Sequence, residues 1–145
     1  MNLADPLCHT ASIKIGACPQ KAFTFLADGM KMGNWAFGSW DRRQVEANMF
    51  VGTSMFSGNQ VYVRMTPDHD RLLIHYEVGP TPDSLAPRVI ARVVEGPELG
   101  YDESCSIVTL VLWRDASMSD ENWQMIASAH ETEMYIIRRL IESDQ

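Results

Sequence analysis

Hydrophobic and polar residues alternate near the start of the chain. In the segment ASIKIGA the apolar positions are Ala11, Ile13, Ile15 and Ala17. A period of two places successive side chains on opposite faces of a strand, so the pattern predicts a strand with one buried face. The next segment, PQKAFTFLADG, has Pro19 where a first helical turn accepts proline and Gly29 where a helix can end. It predicts a short helix, and MKMGNW predicts a second one before the chain becomes extended.

From about residue 43 to residue 114, short apolar runs are separated by Gly, Pro, Asn and Asp. The runs include QVYVRM, RLLIHYEVG, PRVIARVVE and SCSIVTLVLWR. They are rich in Val, Ile, Tyr and Thr, which is typical of strands. The gaps between them are mostly too short for a crossover helix, so the strands are predicted to pair antiparallel. In the second run the alternation turns Tyr76 inward and His75 outward.

The C-terminal segment predicts a long amphipathic helix that follows Ser119 and continues to about residue 142. Ser119 is a favourable N-cap, and the acidic residues after it suit the positive end of the helix. At about 100° per residue, the apolar side chains form one stripe roughly 80° wide. The stripe comprises Trp123, Ile126, Ala127, Met134, Ile137 and Ile141. His130 lies inside this stripe, so a titratable side chain is predicted on the buried face.

The predicted elements leave room between the sheet and the last helix. A sheet of about seven strands is roughly 30 Å wide at 4.7–4.9 Å per strand, whereas a helix with its side chains is about 10–12 Å across. One helix cannot cover a flat sheet of that width, so the sheet must curl around it. We therefore expect an α+β fold in which a curved antiparallel sheet surrounds the long helix and leaves a mostly apolar pocket.

The element order resembles the helix-grip fold of the START-like (SRPBCC) superfamily, which includes polyketide cyclases and dehydratases and lipid-transport proteins. The resemblance rests on that order, on SIKIGACPQKAFTFLADG and GTSMFSG, and on the closing helix, and it covers residues 13–141. It implies a single ligand-binding domain over residues 1–145, with a core from about 11 to 142 and an internal cavity. It does not imply one reaction, because the fold does not fix the function.

Charge and composition narrow the range of partners. The chain has 12 Lys and Arg against 19 Asp and Glu, a formal net charge of −7. This balance argues against nucleic acid or an anionic membrane as the main partner. No apolar run is long enough to span a membrane, so stable membrane insertion is not expected. The start, MNLADPLCHTAS, lacks the features of a signal peptide, so a cytoplasmic location is expected.

The three cysteines predict neither disulfides nor a metal site. Cys8, Cys18 and Cys105 are scattered and form no C-x-x-C pair. A metal would have to recruit these thiols and the histidines from distant parts of the chain. We therefore expect no metal and no cofactor.

His130 is the candidate catalytic residue. It is either a neutral core histidine with one hydrogen-bond partner, or a ligand contact or general acid–base. Glu133, near the edge of the same stripe, either orients His130 or points to water, and the second alternative is favoured.

Aromatic residues supply the second set of candidates. Trp35, Phe37 and Trp40 lie within NWAFGSWDRR and are candidates for a lid, or they pack on the end of the sheet. The charged residues that follow, Asp41-Arg42-Arg43, are expected to be solvated. The predicted ligand-binding residues are Trp35, Phe37, Trp40, Tyr76, Trp113, Trp123, His130 and Met134.

Three functions remain open. The first is binding of a small hydrophobic or aromatic molecule in the internal cavity. The second is a polyketide cyclase- or dehydratase-like activity, in which His130 takes a proton alpha to a carbonyl and Tyr76 or an inward-facing arginine donates to the developing enolate. The third is a protein-interaction module of the co-chaperone kind, and a homodimer is compatible with any of them.

Overall fold

The computed structural model describes residues 7–143. Residues 1–6 and 144–145 of the predicted 1–145 domain lie outside the described residues. The first of these ranges includes half of the segment interpreted as lacking a signal peptide. The elements are β1 (Cys8–Ile15), α1 (Pro19–Ala27), a 3₁₀ helix (Lys31–Asn34), β2 (Trp40–Glu46), β3 (Met49–Thr53), β4 (Gln60–Asp68), β5 (Leu73–Gly79), β6 (Ala86–Glu95), a second 3₁₀ helix (Gly96–Leu99), β7 (Ser106–Trp113) and α2 (Asp120–Ser143).

The seven strands form one antiparallel sheet in the order β1-β7-β6-β5-β4-β3-β2. Strands β2 to β7 form a meander, because each pairs with the next strand in the chain. Strand β1 pairs with β7 at one edge of this meander. The curved sheet and the long C-terminal helix confirm the predicted α+β helix-grip architecture. The second predicted helical piece is a single 3₁₀ turn.

The two faces of the sheet differ in burial. The concave face carries the apolar alternates of every strand except β2, and they pack with α1 and α2 into the core. The predicted inward position of Tyr76 in β5 is confirmed, and its partner Met65 in β4 is buried as well. Strand β7 turns Val108 and Leu110 to the core. Trp113, an odd-numbered residue of the same strand, therefore lies on the opposite, convex face.

Helix α2 begins with the predicted cap, because the Ser119 hydroxyl accepts a hydrogen bond from the Asn122 backbone N–H at 3.1 Å. Its backbone lies close to β1 and α1. Helix α1 also lies close to the backbones of β5, β6 and β7, and both helices contribute core residues, among them Leu26 and Met134. No helix among residues 7–143 is both long and apolar enough to cross a membrane.

Candidate functional site

His130 meets a second histidine under helix α2. Its Nδ1 atom lies 2.9 Å from Nδ1 of His9 on β1, and the two rings meet edge to face. The other nitrogen of His9, Nε2, lies 3.2 Å from a carboxylate oxygen of Glu131. The Glu131 side chain is 67% exposed and that of His9 is 20% exposed, whereas His130 is 3% exposed. The three groups thus connect the surface of the protein to its interior.

The direction of these hydrogen bonds fixes the tautomers. The Glu131 carboxylate only accepts, so Nε2 of a neutral His9 carries the proton and its Nδ1 is a lone pair. Nδ1 of His130 must then be the donor to His9. The remaining nitrogen of His130, Nε2, is a lone pair. This atom is buried and has no hydrogen-bond partner among residues 7–143.

The interior keeps His130 uncharged at neutral pH. Burial and, to a smaller extent, the nearby His9 lower the pKa of its imidazole from 6.5 to about 4, and Glu131 partly opposes the shift. A lone pair on a neutral, buried imidazole is a hydrogen-bond acceptor. Buried polar atoms in proteins almost always have a partner, so the unpartnered Nε2 of His130 is an exception within residues 7–143.

Part of the concave sheet face near His130 is open to solvent. The inward residues Val61, Val78, Val89 and Leu112 are only half-buried. Further along the same strands the inward residues are buried, for example Ala91 and Leu110. The half-buried set lies at the end of the sheet that carries His9, because His9 pairs with Leu112 and Leu112 with Val89. Solvent therefore reaches apolar side chains on the inner face at this end.

Two loops border the end of the sheet that carries His9. Phe37 follows the first 3₁₀ helix, and Phe56 lies between β3 and β4; their ring centroids are 6.4 Å apart. Together with Met55 they form an apolar cleft of about 350 Å³ against α2. The helix side of the cleft consists of Met125, Ser128, Ala129 and Thr132.

Glu133 holds one of these loops. Its carboxylate accepts a hydrogen bond from the Phe37 backbone N–H at 2.9 Å. The expectation that Glu133 points to water is therefore wrong. Burial raises the pKa of this carboxyl to about 7, against the opposing effect of the Phe37 hydrogen bond. The loop is fastened to α2 by a group whose charge changes near neutral pH.

Arg42, expected to be solvated, is buried instead, with 8% exposure. Its Nη1 donates to the Ser39 hydroxyl at 2.8 Å, and its guanidinium lies 4.7 Å from the ring centroid of Phe50. Gly33 lies against the Arg42 side chain, and because glycine has no Cβ it leaves space for this arrangement. Desolvation lowers the pKa of Arg42 to about 10, so it remains a cation at neutral pH.

The predicted ligand-binding residues fall into two groups. Six belong to the interior or its rim: Trp35, Phe37, Tyr76, Trp123, His130 and Met134. Trp35 is 4% exposed, and its indole Nε1 has no partner. The Tyr76 hydroxyl donates to the Leu26 carbonyl at 3.4 Å. Trp40 is 59% exposed and Trp113 lies on the convex face, so the structure does not bring these two to His130.

Sequence reasoning missed His9, Glu131 and Arg42. The signal for His9 was present, because the alternation from Ala11 to Ile15 continues back to residue 9 and places it on the inner face. Glu131 was taken as part of the solvated helix face, which its exposure supports, but its carboxylate reaches across to β1. Among residues 7–143 no three His, Cys, Asp or Glu side chains are grouped so as to hold a metal ion.

Comparison with known proteins identifies the fold. No family model matches the chain, and no curated protein does. Solved structures match over nearly their whole length. The protein XoxI from Bacillus cereus aligns with a TM-score of 0.72 at 14% identity, covering 95% of this chain and 96% of that one.

Two further structures carry descriptive names. A START superfamily protein from Mycobacterium smegmatis aligns with a TM-score of 0.69 at 7% identity, covering 96% of this chain and 99% of that one. The chain has the START-like helix-grip fold. The Zhui aromatase/cyclase from a Streptomyces species shares this START-like fold, with a TM-score of 0.70, 14% identity and 93% coverage of both chains. At these identities the likeness concerns the fold, and the function must be argued from the site.

Proposed function

We propose that the protein binds a small, largely apolar molecule between α2 and the concave face of the sheet. The observation that carries the proposal is the buried Nε2 of His130, a lone pair without a partner on the inner side of α2. A hydroxyl or N–H group of the ligand would satisfy it. START-like and aromatase/cyclase structures are among those that share the fold, which is consistent with this use of the interior.

Apolar walls would supply most of the affinity. Val89 and Leu112 are half-buried, inward-facing neighbours, and Leu112 pairs with His9. Covering such surface releases about 25 cal/mol per Å². The cleft between the Phe37 and Phe56 loops and α2 provides an apolar rim at the same end. A flat aromatic or short aliphatic molecule fits this combination of apolar surface and one polar anchor.

Binding of a ligand with and without a donor group tests the proposal. We expect 2-naphthol to raise the Tm of the protein by roughly 5–10 °C at a concentration of 100 Kd. Its methyl ether, 2-methoxynaphthalene, has the same ring system but no donor, and we expect it to bind about tenfold more weakly. His130→Ala should remove this difference, while His75→Ala, a change at an exposed histidine on the convex face, should preserve it. If neither compound nor a panel of aliphatic alcohols binds, the proposal is wrong.

Proton abstraction is a second candidate function, favoured by the chain Glu131–His9–His130. The Glu131 carboxylate orients the imidazole of His9, which in turn orients that of His130 and so holds its Nε2 lone pair in one direction. After His130 takes up a proton, the three groups can share the positive charge. The low pKa of His130 makes it a weak base, so ligand binding is the preferred role. Enzyme-dependent deuterium exchange at the carbon alpha to the carbonyl of 2-tetralone, lost in His130→Gln, would establish the activity. Exchange at the uncatalysed rate would exclude it for this ketone.

A further inference from the structure

Within residues 7–143, Arg42 is a buried cation without an anionic partner. Ion pairs join several arginines of residues 7–143 to carboxylates, but none of these pairs includes Arg42. Its neighbours are the Ser39 hydroxyl, the Met65 sulfur and the ring of Phe50. Buried charges in proteins are ordinarily paired, because an unpaired charge in the interior is costly. A ligand that brings a negative charge would remove this cost.

One edge of the guanidinium is free to bind such a group. Nη1 is occupied by Ser39 at 2.8 Å. In the part of the chain that the structure describes, Nε is buried without a partner, and Nη2 meets only the sulfur of Met65 at 3.9 Å. The N–H groups of Nε and Nη2 are parallel, and their spacing matches the two oxygens of a carboxylate. Thioether sulfur is a weak acceptor on a flexible side chain, so Met65 can yield to a stronger one.

We propose that the Nε–Nη2 edge of Arg42 binds the carboxylate of an otherwise apolar ligand, at the opposite end of the site from His130. This inference rests on the proposed function, since it names the class of molecule that would occupy the same site. The ligand is then an amphipathic carboxylate, with a hydrogen-bond donor for His130 as its second polar group.

The sheet register connects the two ends. His9, Leu112, Val89, Tyr76 and Met65 are paired in succession across β1, β7, β6, β5 and β4. His9 contacts His130 at one end of this row, and Met65 contacts Arg42 at the other. Four strand spacings correspond to about 19 Å along the sheet. His130 and Arg42 therefore lie at opposite ends of this row.

The charges in this region favour a carboxylate over a phosphate. The Arg42 charge also acts on the buried Tyr76 phenol, whose pKa burial raises well above its usual value. Tyr76 therefore stays neutral and does not compete for the guanidinium. One cation is neutralised by one carboxylate, whereas a phosphate monoester would bring up to two charges into a region that offers a single arginine.

Matched pairs of acids and amides test the inference. We would measure by calorimetry at pH 7.5 the affinities of 2-naphthoate and decanoate, and of the uncharged 2-naphthamide and decanamide. We expect each acid to bind at least tenfold more tightly than its amide, equivalent to about 1.4 kcal/mol. Arg42→Gln should abolish this preference. Arg43→Gln, which removes the same charge from the next, exposed position, should retain it.

The outcomes separate the two proposals. If acid and amide bind wild-type protein equally well, Arg42 is not an anion receptor, while the proposed function survives. If 2-naphthol binds and none of the four compounds does, the assignment of Arg42 fails and the proposed function survives; if 2-naphthol and the aliphatic alcohols also fail to bind, both proposals are wrong. Since Arg42→Gln could unfold the protein, Arg42→Lys provides a second variant: it keeps the charge but loses the parallel donors, and we expect the preference to fall at least threefold. An undiminished preference in a folded Arg42→Lys protein would overturn the assignment to the Nε–Nη2 edge.

Discussion

His9 and His130 are separated by 121 positions in the chain, yet their Nδ1 atoms lie 2.9 Å apart. The contact joins the first residues of β1 to the middle of α2, the two elements that close the fold around the concave face. Because His9 also reaches the exposed Glu131, the pair links solvent to the interior. The contact therefore has consequences for stability, for the direction of hydrogen bonding and for ligand binding, and each can be measured.

We expect stability to fall as the pH drops from about 6.5 to about 4, because of His130. An unfolded chain takes up a proton on this residue near pH 6.5, whereas the folded protein resists protonation until about pH 4. In that window the unfolded state binds more protons, which favours unfolding. The loss amounts to at most about 3 kcal/mol. Urea denaturation at pH 7.5, 6, 5 and 4.5 measures it, and His130→Gln should show a shallower decline.

His75→Gln is the matched control for this titration. His75 is exposed on the convex face, so its removal should leave the pH dependence unchanged. Equal slopes for wild type and His130→Gln would show that His130 does not remain neutral on folding.

Charge reversal at Glu131 should invert the hydrogen bonds. In Glu131→Lys the ammonium donates to Nε2 of His9, so His9 must carry its proton on Nδ1 and donate to His130. Nε2 of His130 then becomes a donor. The ¹⁵N chemical shifts of the His130 ring, which distinguish protonated from unprotonated nitrogens, should exchange between Nδ1 and Nε2. Glu121→Lys, the same change in the first turn of α2, should leave the His130 tautomer as in wild type; an unaltered tautomer in Glu131→Lys would contradict the proposed direction.

The fold was predictable because it depends on periodicity. The alternation in ASIKIGA and in the later strands identified the buried faces, and the stripe around His130 identified the buried side of α2. The meander follows from the short gaps between strands. These features depend on local patterns that a single sequence displays.

The site was only partly predictable, because its contacts are between distant segments. Nothing in the sequence pairs His9 with His130, since their proximity follows from the β1–β7 register and the position of α2. Arg42 lies between two other charged residues, which is typical of a solvated segment, yet an irregularity in the β2–β3 pairing accompanies its burial. The last strand left its inner face undecided, because both of its faces are partly apolar.

A larger side chain at Val89 should fill the space that we assign to the ligand. Val89 is a half-buried residue on the inner face, next to Leu112 and Tyr76. We expect Val89→Phe to weaken binding of 2-naphthol at least tenfold, with a change in the free energy of unfolding below about 1 kcal/mol. The same strand offers the control, since Ile90 is also half-buried but faces the convex side, so Ile90→Phe should bind normally. If the interior around Val89 were already well packed, Val89→Phe would instead lose about 1–3 kcal/mol of stability, which would contradict the prediction.

Replacing Glu133 by Gln should stabilise the protein at high pH. The carboxyl titrates near pH 7 when folded, against about 4.5 when unfolded. Its ionisation therefore destabilises the folded protein. This loss of stability is absent below pH 4.5, grows as the pH rises to 7 and stays constant above pH 7. Glutamine keeps an oxygen to accept the Phe37 N–H bond without the charge. We expect Glu133→Gln to be more stable than wild type by about 1–2 kcal/mol at pH 8 and nearly equal at pH 4.5.

Urea denaturation at the two pH values measures this difference. Glu103→Gln, a change at an exposed loop position, should have the same small effect at both. A Glu133→Gln protein less stable than wild type at pH 8 would show that the charged carboxylate is the better partner for Phe37. The loop would then be held by an ionic hydrogen bond and would loosen, rather than tighten, when Glu133 takes up a proton.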